Sequence, residues 1–201
     1  LYRIVGRIEE GIFCSTGSPN RINGGFCKPI KTKARVVNWA NAKIGNSQEK
    51  YATMYNDRNG LFSDRYHVVN LTNFLGGRAP TVEFRAFSGT LNPEKIAAWV
   101  RMCLTIVEMA LNGVNAQWDV AERTLLHVPE GGTPETRGQA AVNYLIFYLW
   151  RQSHGGRKFG KIDHPRYTQR RAFATLRALA TRHDERAGRN PVNTAAIRDD
   201  E

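Results

Sequence analysis

Glu83 and Arg85 stand two residues apart in the run TVEFRAF, residues 81–87. Side chains alternate across a strand with period two, so in an extended chain Thr81, Glu83 and Arg85 share one face while Val82, Phe84 and Ala86 share the other. A carboxylate and a guanidinium then lie side by side. The carboxylate is a hard oxygen ligand suited to a divalent cation such as magnesium, and the guanidinium is a forked partner for phosphoryl oxygens. Phosphoryl transfer is catalysed chiefly by positioning and by neutralising charge on the transferred group, and the pair supplies one tool for each task. It is not a whole site. Magnesium and ATP together are normally held by more than one carboxylate. Without further context, such a pair is more often an ion pair on a sheet surface.

The neighbouring residues indicate the elements that would position the pair. Residues 65–71, RYHVVNL, are β-branched and aromatic, Gly76-Gly77 supplies a turn with Pro80 shortly after, and residues 81–87 form the second run. Two antiparallel strands are the simplest reading. Asn92 is then placed as a helix N-cap, Pro93 at the first helical position and Glu94 in the first turn, where exposed amide dipoles favour negative charge. Ile96, Trp99, Val100, Cys103, Leu104, Val107, Ala110 and Leu111 recur at helical spacing, and Asn112-Gly113 is a stop signal. This stripe is expected to pack the helix on the sheet.

Three segments, RYHVVNL (65–71), TVEFRAFSGTLNPEKIAAW (81–99) and, less distinctively, NRINGGFCKPI (20–30), resemble the amidoligase family. That family shares the fold of the glutamine synthetase and glutamate-cysteine ligase group of carboxylate-amine ligases. The resemblance covers residues 1 to about 112 and weakens thereafter. It implies an α+β fold, an antiparallel sheet with packed helices. It also implies a reaction in which ATP phosphorylates a substrate carboxylate and an amine displaces phosphate, leaving an amide or isopeptide bond. By the same resemblance Glu83 matches a magnesium-ligating glutamate, and Arg85 an arginine that steadies the phosphoryl group or acyl phosphate. Arg65 and Asn70 match polar positions on the preceding strand that face nucleotide or substrate, and Arg21 and Asn23 match a weaker motif position. The partners implied are carboxylate and amine substrates, peptides among them.

The chain departs from the family before Arg65. The family's domain begins with a strand carrying an alternating Glu-x-Glu pair, followed by a strand with a histidine, and neither occurs here. Glu9 and Glu10 are adjacent, so on a strand they would point to opposite faces. With Leu1 as first residue, the expectation is a carboxyl-terminal portion of a longer protein, completed by residues upstream or on another chain, including a second copy. The rival is a structural or assembly protein of the same fold that catalyses nothing.

Composition bounds these readings. With 201 residues, 41% of them hydrophobic, the chain can bury a core, and no apolar run approaches the roughly 20 residues of a membrane span. A soluble protein is expected. Cys14, Cys27 and Cys103 lack metal-ligand spacing and read as free thiols in a reducing, cytoplasmic compartment. The formal charge of +11 is uneven: residues 1–75 hold 11 Lys/Arg against 5 Asp/Glu, residues 76–150 hold 6 against 7, and residues 151–201 hold 12 against 6. Both flanks are basic around a neutral middle, which suits polyanionic substrates and equally a solvated arginine-rich surface.

The second half is expected to be helical. Thr133-Pro134-Glu135 marks a helix start with a stripe of Ala140, Tyr144, Leu145, Phe147 and Tyr148 ending near His154-Gly155-Gly156, and the aromatic run at 144–150 reads as core. Pro165 could open another helix to about Arg186, with Phe173, Leu176, Leu179 and Ala180 as a narrow stripe. The organisation expected is a catalytic part over 1–118, a helical extension over 119–188 and a flexible tail over 189–201. Arg166, Arg170, Arg171, Arg177, Arg182 and Arg186 could follow nucleic-acid phosphates, although no groove-reading motif accompanies them. His67 alternates with Arg65 and could line the same cleft, but a lone strand histidine is more often structural. Gly24-Gly25 and Gly76-Gly77 lack the Lys-Ser or Lys-Thr of a phosphate-binding loop.

Overall fold

In residues 2–14, Ile4, Val5, Ile8 and Ile12 recur every three to four positions and fold as helix α1, Tyr2–Cys14, with all four side chains buried. The computed structural model describes residues 1–23, 25–30, 65–75, 79–113, 136–151 and 165–188. After α1 come the short helix α2 (Asn20–Asn23), strand β1 (Val69–Asn70), the single-turn helix α3 (Thr72–Leu75) and strand β2 (Glu83–Phe84). Three longer helices follow: α4 (Pro93–Leu111), α5 (Arg137–Ile146), which continues as a π-helical stretch, Phe147–Arg151, and α6 (Gln169–Arg186). The described residues are thus mostly helical with a small antiparallel sheet, an arrangement compatible with the α+β class.

The core is built where α1, α4, α5 and α6 meet. α5 packs on both α1 and α6, and α4 packs chiefly on α6 with smaller contacts to α1 and the π-helical stretch. Residues from both halves of the sequence therefore share one hydrophobic cluster, with Ile8 and Ile12 of α1, Met102 and Ile106 of α4, Leu145 of α5 and Leu176 of α6 among its members. α1 and α5 approach closely at Gly11, where a Cβ atom would stand 2.6 Å from the Ala141 carbonyl oxygen and 2.8 Å from Leu145 Cβ. A backbone oxygen cannot rotate away. Gly11→Ala is accordingly expected to push the helices apart and cost about 2–3 kcal/mol, read as a lowered denaturation midpoint.

The α4 termini follow the sequence signals. Asn92 Oδ1 accepts from the main-chain N–H groups of Glu94 and Lys95, each at 3.0 Å, Pro93 opens the helix, and Gly113 follows the Asn112 cap with φ of 69°. Its buried face requires correction. The core side carries Ala98, Trp99, Met102, Thr105, Ile106 and Met109, whereas Ile96, Val100, Leu104 and Leu111 of the expected stripe are exposed. α4 is apolar on nearly all sides, so periodicity cannot select the inner one. The partner selects it, since α4 packs chiefly on α6 rather than on the strands. Its outer side and the segment after β2 wall an open groove of about 430 Å³ lined by Phe84, Phe87, Ile96, Trp99, Val100 and Leu104.

α5 begins three residues later than expected. Thr136 is its N-cap, with a reciprocal capping box to Gln139, while Thr133 and His154 lie outside the described residues. Of its aromatic run, Tyr148 is buried, Trp150 is partly buried against Phe173 at 5.0 Å between centroids, and Phe147 is exposed. α6 ends at Arg186 as read, but opens on Thr168, whose hydroxyl accepts from Arg171 N, rather than on Pro165. No described helix is long and apolar enough to cross a membrane.

Candidate functional site

β1 and β2 pair antiparallel with Val69 opposite Phe84 and Asn70 opposite Glu83. The pairing continues one residue further, where Arg85 N donates to Val68 O at 2.9 Å. A third segment borders β1 on its far side, as Lys28 bridges to His67 in parallel sense. The strands are shorter than the sequence runs, but the alternation holds. Val82, Phe84 and Ala86 pack toward the core, and Glu83 and Arg85 project from the opposite face.

That face carries a connected polar chain. Asn70 Nδ2 donates to Glu83 Oε2 at 2.7 Å, and Arg85 Nη1 donates to Glu83 Oε1 at 2.7 Å. Asn70 Oδ1 in turn accepts from the main-chain N–H and the hydroxyl of Thr72, at 2.9 and 2.5 Å, which turns the chain from β1 into α3. Asn70 is buried, Arg85 exposes 17% of its side chain and Glu83 exposes 43%, so the chain runs from the core to solvent. Arg85 is fixed from a second side by Nε, which donates to Phe26 O at 3.2 Å, and its Cζ lies 5.6 Å from the Tyr66 ring centroid. Among the described residues no hydrogen bond engages Arg85 Nη2.

Arg21 acts beneath the pair. Its Nε donates to Ala86 O at 2.9 Å, and its Nη2 to Arg85 O at 2.7 Å and to Phe87 O at 3.1 Å. The guanidinium thus clamps three successive carbonyls that have left the ladder, fixing the backbone that carries Arg85. Asn23 closes α2. Arg65, expected on the strand before Glu83, instead precedes β1 and is exposed, because the ladder begins only at the His67 bridge. His67 is buried. Cys27 adjoins the site: burial pushes its thiol up from the ordinary cysteine value, while the nearby positive charges of Arg21 and Arg85 act in the opposite direction.

The early acids are structural. Glu9 is buried and its Oε2 accepts the Ile30 N–H at 2.7 Å, whereas Glu10 pairs with Arg137 at 2.5 Å. Neither contributes a carboxylate beside Glu83. Among the described residues no group of three or more His, Cys, Asp or Glu side chains converges as a metal cage. Each Glu83 oxygen accepts one hydrogen bond and keeps a further lone pair for another partner.

The arginines of α6 have varied local roles. Arg171 Nη1 donates to Arg166 O, Arg177 Nε to Asn143 Oδ1 and Arg186 Nη1 to Gly17 O, at 3.1, 2.8 and 2.8 Å. The side chains of Arg171, Arg177 and Arg186 thus take part in contacts that hold α6 and its surroundings together.

Comparison with known proteins bears on the strand pair. Residues 14–107 match the family model described as "Putative amidoligase enzyme". The amidoligase match contains Arg21, Phe26, Tyr66, Asn70, Glu83 and Arg85, and so includes every member of the site described above. The match is consistent with the amidoligase family and with an enzyme. No curated protein and no solved structure matches significantly. Two site residues lie within the family-like segments without being singled out by type or spacing. Phe26 and Tyr66 are 40 positions apart, and only the fold brings their rings together.

Proposed function

We propose that this chain contributes to the ATP-dependent joining of a carboxylate to an amine, with Arg85 holding the carboxylate as it is activated. In this reaction class a carboxylate oxygen takes the terminal phosphoryl group of ATP, ADP departs, and the amine then expels phosphate from the acyl carbon to form the amide. The observation that supports the reading is a guanidinium whose Nη1 and Nε are held by Glu83 and the Phe26 carbonyl, while Nη2 has no hydrogen-bond partner among the described residues. Such a cation is preorganised for developing negative charge and need not reorganise during the reaction.

Asn70 and Glu83 serve this role as positioning residues. The buried amide holds the carboxylate, and the carboxylate holds the guanidinium in plane. Magnesium accompanies ATP in the proposal, but one carboxylate does not form a cage, and no step is assigned to the metal. Further ligands belong to the rest of a glutamine synthetase-type sheet, of which we take β1 and β2 to be part. The substrates proposed are carboxylates and amines, peptides included. The experiment is an acyl-phosphate trap: protein, magnesium, ATP, a panel of carboxylic acids and hydroxylamine. Hydroxamate and ADP formed in equal amounts from at least one acid support the reading. ADP formed at the same rate without any acid contradicts it.

A further inference from the structure

Beside the guanidinium lies a pair of aromatic rings that the polar chain does not explain. Phe26 is 69% exposed and Tyr66 40% exposed, their rings meet edge to face with centroids 5.5 Å apart at 79°, and the Arg85 guanidinium lies 5.6 Å from the Tyr66 centroid. Two adjoining aromatic rings with this exposure present one continuous apolar surface next to the guanidinium. Both sit on segments that the backbone fixes. Lys28 N donates to Tyr66 O at 2.7 Å, and Phe26 O accepts from Arg85. The ledge and the cation are therefore a single rigid unit.

Resting on the ligase reading, we propose that this ledge selects the carboxylate substrate: the site takes an acid whose carboxylate is borne close to an aromatic ring, as in a peptide ending in an aromatic residue. A carboxylate meeting Arg85 Nη2 carries its nearest substituent into the space beside Phe26 and Tyr66, because the Tyr66 ring is already in contact with the guanidinium face. An aromatic substituent there extends the edge-to-face pair, since rings favour offset or perpendicular neighbours at about 4.5–7 Å between centroids. A small aliphatic substituent leaves the ledge wet. The nucleobase of ATP is a weaker occupant, since the terminal phosphoryl group and the base lie at opposite ends of that molecule and the ledge touches the arginine itself.

The test measures binding without ATP by calorimetry, using N-acetyl-phenylalanine and N-acetyl-alanine as probes. Wild-type protein is expected to favour the ring-bearing acid by about threefold to tenfold. In Phe26→Leu and Tyr66→Leu the preference falls toward parity, while Tyr66→Phe, which keeps the ring, retains it. Far-ultraviolet circular dichroism and a melting curve confirm that each variant is folded. Equal affinities in wild type, no binding of either acid, or an unchanged preference in both leucine variants overturns the proposal. A ring preference in protein that yields no hydroxamate supports the ledge and removes the ligase reading, so the two fail separately.

Discussion

Arg85→Ala is expected to lower hydroxamate formation by about two to three orders of magnitude, the loss typical of removing one fixed donor from a developing anion. The fold predicts little accompanying loss of stability. The Glu83–Arg85 pair is partly exposed, with 43% of the Glu83 side chain open to solvent, and such pairs contribute at most about 1 kcal/mol. Activity and stability should therefore separate, which a purely structural arginine would not allow. Arg85→Lys keeps the charge but not the fork that reaches Glu83 and Phe26 O together, and is expected to recover only a small part of the rate. Glu83→Gln presents an amide in place of one acceptor oxygen and should fall between wild type and Arg85→Ala. Turnover of Arg85→Ala within about threefold of wild type is too small a loss for a transition-state contact and would remove the role assigned to it.

Asp184→Ala is expected to destabilise the fold by about 2–4 kcal/mol. Asp184 lies on α6 but caps α5. Its Oδ2 accepts from the Thr136 hydroxyl and, at 3.2 Å, from Gln139 N, and its Oδ1 accepts from Gly138 N at 3.2 Å. The residue is 1% exposed, so removing it leaves donors at the start of α5 buried and unmet. Gly138 permits this approach, since a Cβ there would stand 2.5 Å from Asp184 Oδ1. For a chain of this size the loss corresponds to a melting shift of roughly 5–15 °C, measured by circular dichroism. Asp184→Asn, which keeps one acceptor, should lose less. A shift of the alanine variant below about 2 °C would show that the cap carries little of the α5–α6 contact.

The parts legible in the sequence were those fixed by local chemistry. Asn92-Pro93-Glu94 sets one helix start because cap, ring constraint and dipole act within one turn, and Glu83 and Arg85 share a face because a strand has period two. The α4 burial was not legible. Two apolar stripes compete on that helix, and the winner depends on α6, more than sixty residues away in sequence. Ile4, Ile8 and Ile12 announce α1 by their helical spacing, and Glu9 and Glu10 therefore lie on a helix rather than a strand. Arg21 illustrates the limit most clearly. Its donors meet carbonyls 64 to 66 residues away that no local pattern could have indicated.

The claim that a carboxylate is activated beside Arg85 is tested most directly by following oxygen. An acid that gives hydroxamate is supplied with its carboxylate labelled with ¹⁸O, and the phosphate released in the presence of ATP and hydroxylamine is examined by mass spectrometry. Activation through an acyl phosphate predicts one labelled oxygen in each phosphate formed by wild-type protein, with the labelled product falling in step with rate in Arg85→Ala. Phosphate without label would mean that water, not the carboxylate, receives the phosphoryl group, and would contradict the account.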